Sequence, residues 1–251
     1  MKVKKKRSGL TPVHIEAFDL DDAWFQCLSR ILEQGFVYKI DAGSYAGQRR
    51  LEFDFVSIHI TNPAHQIIPI MPEGAGIPAP TSMEYIQQYL QYLVTSSKTE
   101  TEDYTYGERL VDPKVKIPAD NKDMIKEMPL QCNQIEEVIK LYKTRGFGTN
   151  QAVMEIGMPS DIKLQDPPCL RIIDTRVRYG KLHFFLYFRS WDLWGGFPSN
   201  LGGLELVKQY MAEEIGVENG EIIACSKGLH LYEYVWELAK QRTHKYDLQI
   251  K

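Results

Sequence analysis

Cysteine is scarce in this sequence, and its cysteines are scattered. Cys27, Cys132, Cys169 and Cys225 lie far apart and form no Cys-x-x-Cys pair. No group of histidines and cysteines has the spacing of zinc ligands, so the sequence predicts neither a disulfide framework nor a structural zinc site. We therefore expect no metal, and we take a reducing, cytoplasmic compartment as the default.

Long apolar runs and an excess of one charge are absent as well. No window approaches the roughly 18 apolar residues of a membrane span. The 30 Lys and Arg and 33 Asp and Glu residues give a formal charge of −3, which disfavours both a strongly basic nucleic-acid binder and an acidic tail. No signal-peptide core follows the basic run at residues 2–7. We interpret residues 1–10 as a flexible basic terminus, with a nucleic-acid or membrane contact as the alternative.

Hydrophobic periodicity predicts both helices and strands. The patterns indicate helices at 21–34, 81–94, 121–143, 201–215 and 234–242. They indicate strands at 50–61, 170–177, 182–188 and 221–232, with a hairpin turn at Tyr179-Gly180. The two types do not alternate strictly, so the order favours an α+β (layered α/β) fold over a doubly wound parallel sheet.

Polar residues inside apolar surroundings are the candidates for chemistry, and the first is Cys169. It follows two prolines, Pro167 and Pro168, at the start of a predicted strand. A thiolate is a nucleophile and nearby cations lower its pKa, but a lone cysteine is more often a small buried hydrophobe. A cysteine protease or a redox thiol needs a base or a second cysteine nearby, and the sequence indicates neither.

Three further groups follow Cys169. Arg189, Ser190 and Asp192 end an aromatic strand and could bind a phosphate and a polar heterocycle, or simply form an Arg–Asp pair. Asn200 ends a Gly/Pro-rich turn, where it is either a helix cap or a ligand amide. His230 and Tyr232 lie two positions apart on one strand face; a partly satisfied His/Tyr pair is the alternative.

Together these residues resemble the thymidylate synthase family, and most closely its short archaeal form. The resemblance covers Asp166 to about Ala239 and rests on Pro-Pro-Cys, Arg-Ser-x-Asp, Gly-x-Pro-x-Asn and His-x-Tyr motifs in order. It implies a large mixed β-sheet covered by helices, one domain over residues 1–251, and a sheet-to-sheet homodimer with shared active sites. It implies a methyltransferase that converts dUMP to dTMP. The co-substrate would be a methylene-tetrahydropterin of the folate or methanopterin type.

The resemblance also implies roles for the C-terminal residues. Cys169 would add to C6 of the uracil, Arg189 and Ser190 would bind the phosphate, and Asp192 would order water and the pterin. His230 and Tyr232 would hold the deoxyribose hydroxyl. Asn200 would read the base, because its amide can accept from N3–H and donate to O4 of uracil.

The roles of the N-terminal residues are less constrained by the resemblance. Tyr106, in Tyr-Gly-Glu-Arg, is expected to border the base pocket. The family uses a glutamate as acid/base, and Glu73 in the Pro/Gly-rich loop 67–80 is the first candidate, with Glu84 second. Arg145 is the candidate for the partner subunit's phosphate arginine. Arg49-Arg50 resembles the family's phosphate loop only loosely.

Two other functions remain open at this point. A pyrimidine deoxynucleotide hydroxymethylase of the same fold, acting on dUMP or dCMP, would add water where the synthase transfers hydride. Trp191 and Trp194 could exclude that water, or could simply be core residues. A non-catalytic nucleotide- or RNA-binding protein would have a degraded nucleophile or phosphate clamp, whereas Cys169, Arg189 and Asn200 are all present.

Overall fold

The computed structural model describes residues 9–41, 45–118 and 125–250. The basic run at residues 2–7 lies outside the described residues. The described strands are β1 (Pro12–Ala17), β2 (Phe36–Lys39), β3 (Arg49–Glu52), β4 (Phe55–Ile60), β5 (Lys114–Pro118), β6 (Ile125–Pro129), β7 (Val153–Glu155), β8 (Leu170–Arg178), β9 (Lys181–Phe188), β10 (Trp191–Asp192), β11 (Glu218–Ser226) and β12 (Leu229–Tyr232). The α-helices are α1 (Leu20–Gln34), α2 (Met83–Val94), α3 (Tyr106–Val111), α4 (Gln134–Arg145), α5 (Gly196–Ile215) and α6 (Trp236–Arg242).

The main sheet is six-stranded and mixed, in the order β1-β4-β11-β9-β8-β7. Strands β1 and β4 are parallel, as are β11 and β9, and the other neighbours are antiparallel. A smaller sheet has the order β10-β12-β3-β2, and β5 pairs with β6 alone. The expected α+β fold with a large mixed sheet is therefore confirmed.

One face of the main sheet is buried and the other is half-exposed. Burial alternates along β9 and β11, and along β8 beyond an irregularity between Leu170 and Ile172, as expected for strands with helices on one side. The buried face packs against α1 and α5, which contribute Trp24, Leu28, Leu204 and Val207 to the core. No helix in the described part of the chain is long and apolar enough to cross a membrane.

Several predicted elements are confirmed. Helix α1 begins one residue early, because the side chain of Asp19, rather than Asp21 or Asp22, accepts from the Asp22 N–H. Helix α2 begins after Ser82, which accepts from the Tyr85 N–H, and α5 ends at Gly216 with φ 83°. The β8–β9 hairpin turns at Tyr179 and Gly180, both with positive φ.

The predicted helix at 121–143 is wrong in its first half. Residues 125–129 form β6, which pairs with β5, and helix α4 begins only after Asn133. Pro129 cannot continue a helix from its interior, which is the local reason for the break. The predicted range also includes residues 121–124, which lie outside the described residues.

Two predicted strands are each divided between the two sheets. The prediction for 50–61 covers β3 in the small sheet and β4 in the main sheet, which separate at Phe53 and Asp54. The prediction for 221–232 covers β11 and β12, which separate at Lys227 and Gly228. The alternation of polar and apolar residues changes phase at Phe55-Val56 and stops at Ser226-Lys227-Gly228. These irregularities mark the two junctions, but they do not identify the partner strands.

Candidate active site

Cys169 opens onto a cavity of about 510 Å³ where the two sheets meet. The thiol is half-buried, immediately before β8 and after the rigid Pro167-Pro168 pair. The cavity is lined by Ile40, Tyr45, Arg50, Asp103, Gln165, Asp166, Pro167, Cys169, Arg189, Ser190, Asp192, His230 and Tyr232. Six of the ten predicted site residues thus share one cavity, from three separate parts of the sequence.

Arg189 holds the loop that carries Cys169. Its backbone N–H donates to the carbonyl of Cys169 at 2.8 Å. Its guanidinium donates to the carbonyls of Pro167 and Pro168 and, at 3.0 Å, to the carboxylate of Asp166. Burial raises the pKa of the Cys169 thiol, and the Arg189 charge is the largest opposing effect. The geometry therefore keeps a cation next to the thiol.

Arg50 brings a second guanidinium to the cavity. It lies on β3 and forms an ion pair with Glu52, with 2.6 Å between Nη2 and Oε2. Burial raises the pKa of Glu52, and Arg50 lowers it. Arg49 instead pairs with Glu233 and does not line the cavity. Two arginines facing one concave surface are well suited to bind a phosphate.

His230 lines the cavity and carries a buried nitrogen that has no hydrogen-bond partner among the described residues. Its ring is 3% exposed, its Nδ1 lies 2.8 Å from the carbonyl of Gly228, and its Nε2 has no partner among the described residues. Burial lowers the pKa of His230 to about 4, so the ring is neutral at pH 7. The carbonyl of Gly228 can only accept, which places the proton on Nδ1 and leaves Nε2 as an acceptor. Tyr232 lies beside it, with ring centroids 4.7 Å apart.

Asp192 organises the start of α5. Its carboxylate accepts from the backbone N–H groups of Gly195 and Gly196 at 3.0 and 2.9 Å. Both donors belong to the unpaired N–H groups at the beginning of a helix, where a negative charge is favoured. Asp192 lines the cavity and also accepts from these N–H donors. The role of helix cap, which the sequence offered for Asn200, therefore belongs to Asp192. Asn200 itself lies within α5.

Asn200 lines a second cavity, of about 490 Å³, rich in tyrosine. We call it the tyrosine cavity; its lining is Tyr85, Gln88, Tyr89, Tyr92, Glu102, Tyr104, Tyr106 and Asn200. Helix α2 reaches Asn200 because Gly203 leaves room on α5: a Cβ there would lie 2.6 Å from Cδ1 of Tyr89. Tyr106 connects the two cavities, since its hydroxyl accepts from the N–H of Leu170, next to Cys169.

Three predicted residues lie outside both cavity linings. Glu73 is exposed in the Pro/Gly-rich loop, and Glu84 is exposed in the first turn of α2. Arg145 ends α4 and donates to Gln151 at 3.0 Å. Their predicted roles stay predictions. No group of three or more His, Cys, Asp or Glu side chains in the described ranges is arranged to hold a metal ion.

Other lining residues were missed by sequence reasoning. Glu102 is the carboxylate of the tyrosine cavity, and Gln88 and Tyr89 face the same space from α2. Glu102 gave no signal of its own, because it lies four residues before Tyr106 and belongs to none of the motifs. Tyr45 gave no signal, because it reaches the cavity from a loop of irregular sequence before β3.

Comparisons with known proteins identify the family. The sequence model described as thymidylate synthase matches residues 91–249, more than half of the chain. A protein of Methanosarcina mazei named "Putative thymidylate synthase" is 29% identical over 228 residues, 90% of this chain and 92% of its own. One of the same name from Methanococcoides burtonii is 30% identical over 89% of this chain and 91% of its own.

The similarity extends to bacterial proteins over a shorter range. The thymidylate synthase of Listeria monocytogenes is 32% identical over 118 residues, which is 45% of this chain and 37% of that protein. The matched family region includes Tyr106, Cys169, Arg189, Asn200 and His230. This chain therefore belongs to the thymidylate synthase family.

Proposed function

We propose that this protein makes dTMP from dUMP by reductive methylation. The observation that carries the proposal is the convergence of Cys169, two arginines and the His230–Tyr232 pair on one cavity. This set supplies a nucleophile, an anion site and a hydroxyl site, which are the three elements that a nucleoside monophosphate substrate requires. Membership of the family and the names of the relatives support the same reaction.

The chain's own residues bind and activate the nucleotide. Arg189 and Arg50, with Ser190, bind the phosphate, and neutralising it does not require a basic protein surface. The Nε2 of His230 accepts from the deoxyribose hydroxyl, and Tyr232 contacts the same group. The thiolate of Cys169 then adds to C6 of the uracil, which makes C5 nucleophilic. Arg189 favours the thiolate form because its charge is adjacent.

A methylene-tetrahydropterin, of the folate or methanopterin type, supplies the carbon unit and the hydride when bound. The tyrosine cavity suits such a molecule: its rings offer flat faces for stacking, and Gln88 and Glu102 offer polar groups at the edge. Asp192, which lines the Cys169 cavity, orders water and cofactor. Within this scheme Glu102 is the preferred acid/base carboxylate, ahead of Glu73 and Glu84, because it alone of the three lines a cavity.

The proposal includes a homodimer in which the chain acts as one domain. The half-exposed face of the main sheet carries Ile172, Phe185, Tyr187 and Ile223, an apolar surface of the kind that pairs with a second copy. Arg145 remains the sequence-based candidate for the partner's phosphate contact. Arg176 and Arg178 at the far end of β8 are alternatives, because neither has a carboxylate partner among the described residues. The dimer is tested by comparing the molar mass of the native protein with that of the Phe185→Asp variant by light scattering.

The reaction is tested by incubating the protein with dUMP and each methylene-tetrahydropterin. We expect dTMP and an oxidised pterin in equal amounts. Cys169→Ser should abolish turnover but retain dUMP binding, whereas Cys132→Ser, the same change at another free cysteine, should retain turnover. Formation of 5-hydroxymethyl product without oxidised pterin would instead identify a hydroxymethylase. Turnover by Cys169→Ser would contradict the mechanism.

A further inference from the structure

Asn200 is held at the edge of the tyrosine cavity by two hydrogen bonds. Its Oδ1 accepts from Nε1 of Trp191 at 3.0 Å, and its Nδ2 donates to the hydroxyl of Tyr89 at 2.7 Å. The two partners are chemically unequal. An indole N–H can only donate, whereas a phenol hydroxyl can donate or accept. Only Trp191 therefore determines which way round the carboxamide lies.

Trp191 has no freedom to turn towards another acceptor. Its side chain is 1% exposed and stacks on Phe188, with ring centroids 3.8 Å apart and an interplanar angle of 4°. Phe197 lies on it as well, with 4.5 Å between centroids. The backbone N–H of Trp191 donates to Gly228, which fixes the residue from the other side. The direction of the indole N–H is thus set by packing.

Rotating the Asn200 amide by 180° would be costly for this reason. The Nδ2 group would face the indole N–H, and a buried donor would lose its acceptor. Loss of such a bond disfavours the rotated form by roughly ten- to hundredfold. Tyr89 would oppose the rotation little, because its hydroxyl can donate to Oδ1 as readily as it accepts from Nδ2.

We propose that Trp191 is a specificity-determining positioning residue that makes Asn200 a reader of uracil and excludes cytosine. The inference rests on the proposed function and on the base-reading role that the family resemblance implies for Asn200, at the edge of the tyrosine cavity. Uracil presents an N3–H donor beside the O4 acceptor, whereas cytosine presents an N3 acceptor beside the N4 amino donor. A freely rotating amide matches either edge. An amide held with Oδ1 towards Trp191 keeps one fixed polarity and matches one edge only.

The test compares dUMP and dCMP binding to the full-length protein by calorimetry. Trp191→Phe keeps an aromatic ring in the stack and removes the N–H. We expect the preference for dUMP over dCMP to fall about tenfold, mainly because dCMP binds more tightly. Tyr89→Phe is the matched control, since it removes the other hydrogen bond to the same amide. It should weaken dUMP binding by about fivefold or less and leave the preference unchanged.

The outcomes separate the inference from the proposed function. The inference is overturned if Trp191→Phe keeps the native preference for dUMP over dCMP, or if this preference falls equally in both variants. In either case the proposed function still stands if the native protein binds dUMP. Native protein that binds neither nucleotide overturns both. If Trp191→Phe does not fold, benzothienylalanine at the same position makes the same test, because its ring keeps the indole shape with sulfur in place of the N–H.

Discussion

The hydroxyl of Tyr106 accepts a hydrogen bond from the backbone N–H of Leu170, 3.1 Å away, and Leu170 directly follows Cys169. The two residues are 64 positions apart in the sequence, and both are buried. This bond attaches α3 to the first residue of β8, next to the residue that carries the thiol. Tyr106 also lines the tyrosine cavity, so one side chain positions the nucleophile and borders the neighbouring space.

Replacing Tyr106 by Phe should therefore destabilise the protein. The ring still fills its place, but the buried N–H of Leu170 loses its acceptor, which costs about 1–3 kcal/mol of the free energy of unfolding. Urea denaturation followed by circular dichroism measures this loss. Tyr246→Phe is the control, because that side chain is 63% exposed and should change stability by no more than about 0.5 kcal/mol. Equal stability of both variants would contradict the assignment.

A second test concerns Asp161, a 1% exposed carboxylate behind the Cys169 loop. Its two oxygens accept from Arg109 and Arg171, each at 2.9 Å, and one also accepts from the N–H of Met158. Arg109 lies on α3 with Tyr106, and Arg171 is two residues after Cys169. Asp161→Asn leaves two poorly exposed guanidinium groups without their counter-charge, and we expect a loss of about 3–5 kcal/mol.

The control for Asp161 is a solvent-exposed ion pair. Glu237 is 83% exposed and pairs with Lys240, so Glu237→Gln should cost no more than about 1 kcal/mol. Thermal and urea denaturation compare the two variants with the native protein. A small effect of Asp161→Asn would mean that the arginines find other partners. In that case Asp161 would not be what joins α3 to β8.

The parts of the site that the sequence reveals are those that local geometry brings together. Cys169 and Arg189 flank a tight hairpin, so their strands must pair and the two residues must meet at the open end. His230 and Tyr232 alternate on one strand, which fixes their common side. Neither inference requires knowledge of distant pairing. The α+β class followed from local patterns of the same kind, whereas the large mixed sheet was implied by the family resemblance.

The parts that the sequence does not reveal depend on long-range pairing. Arg50 reaches the cavity because β3 pairs with β12, and the break in alternation at Phe55-Val56 does not identify β12 as the partner. Asp161 contacts an arginine 52 positions away. The helix predicted for 121–143 failed for a local reason instead, because Pro129 interrupts it where β6 pairs with β5. Short strands gain their stability from a partner that periodicity does not identify.

The third prediction concerns the thiol itself. The guanidinium of Arg189 opposes the rise in the pKa of Cys169 that burial causes. Arg189→Gln should therefore raise the pKa of this thiol further and slow its reaction with iodoacetamide at pH 7. Mass spectrometry of the Cys169 peptide across a pH series measures the midpoint. Arg30→Gln, an exposed arginine on α1, should leave the midpoint unchanged. A lower midpoint in Arg189→Gln would refute the electrostatic role.

The last prediction follows from the neutral state of His230. Its pKa is lowered by burial from 6.5 to about 4 in the folded protein. Between these two values the unfolded chain binds a proton that the folded protein does not, so stability is present above pH 6.5 and is lost as the pH falls towards 4. From pH 7 to pH 5 this one group removes about 2 kcal/mol from the free energy of unfolding.

His230→Gln tests this linkage, because glutamine can still hydrogen-bond but does not titrate. Urea denaturation at pH 7 and pH 5 should show that acidification lowers the free energy of unfolding less in the variant than in the native protein. His14→Gln is the control, because the side chain of His14 is 58% exposed. This variant should lose as much free energy of unfolding between pH 7 and pH 5 as the native protein does. If His230→Gln loses as much stability as the native protein, the imidazole is protonated inside the fold. Nε2 would then be a donor, and it could not accept from a deoxyribose hydroxyl.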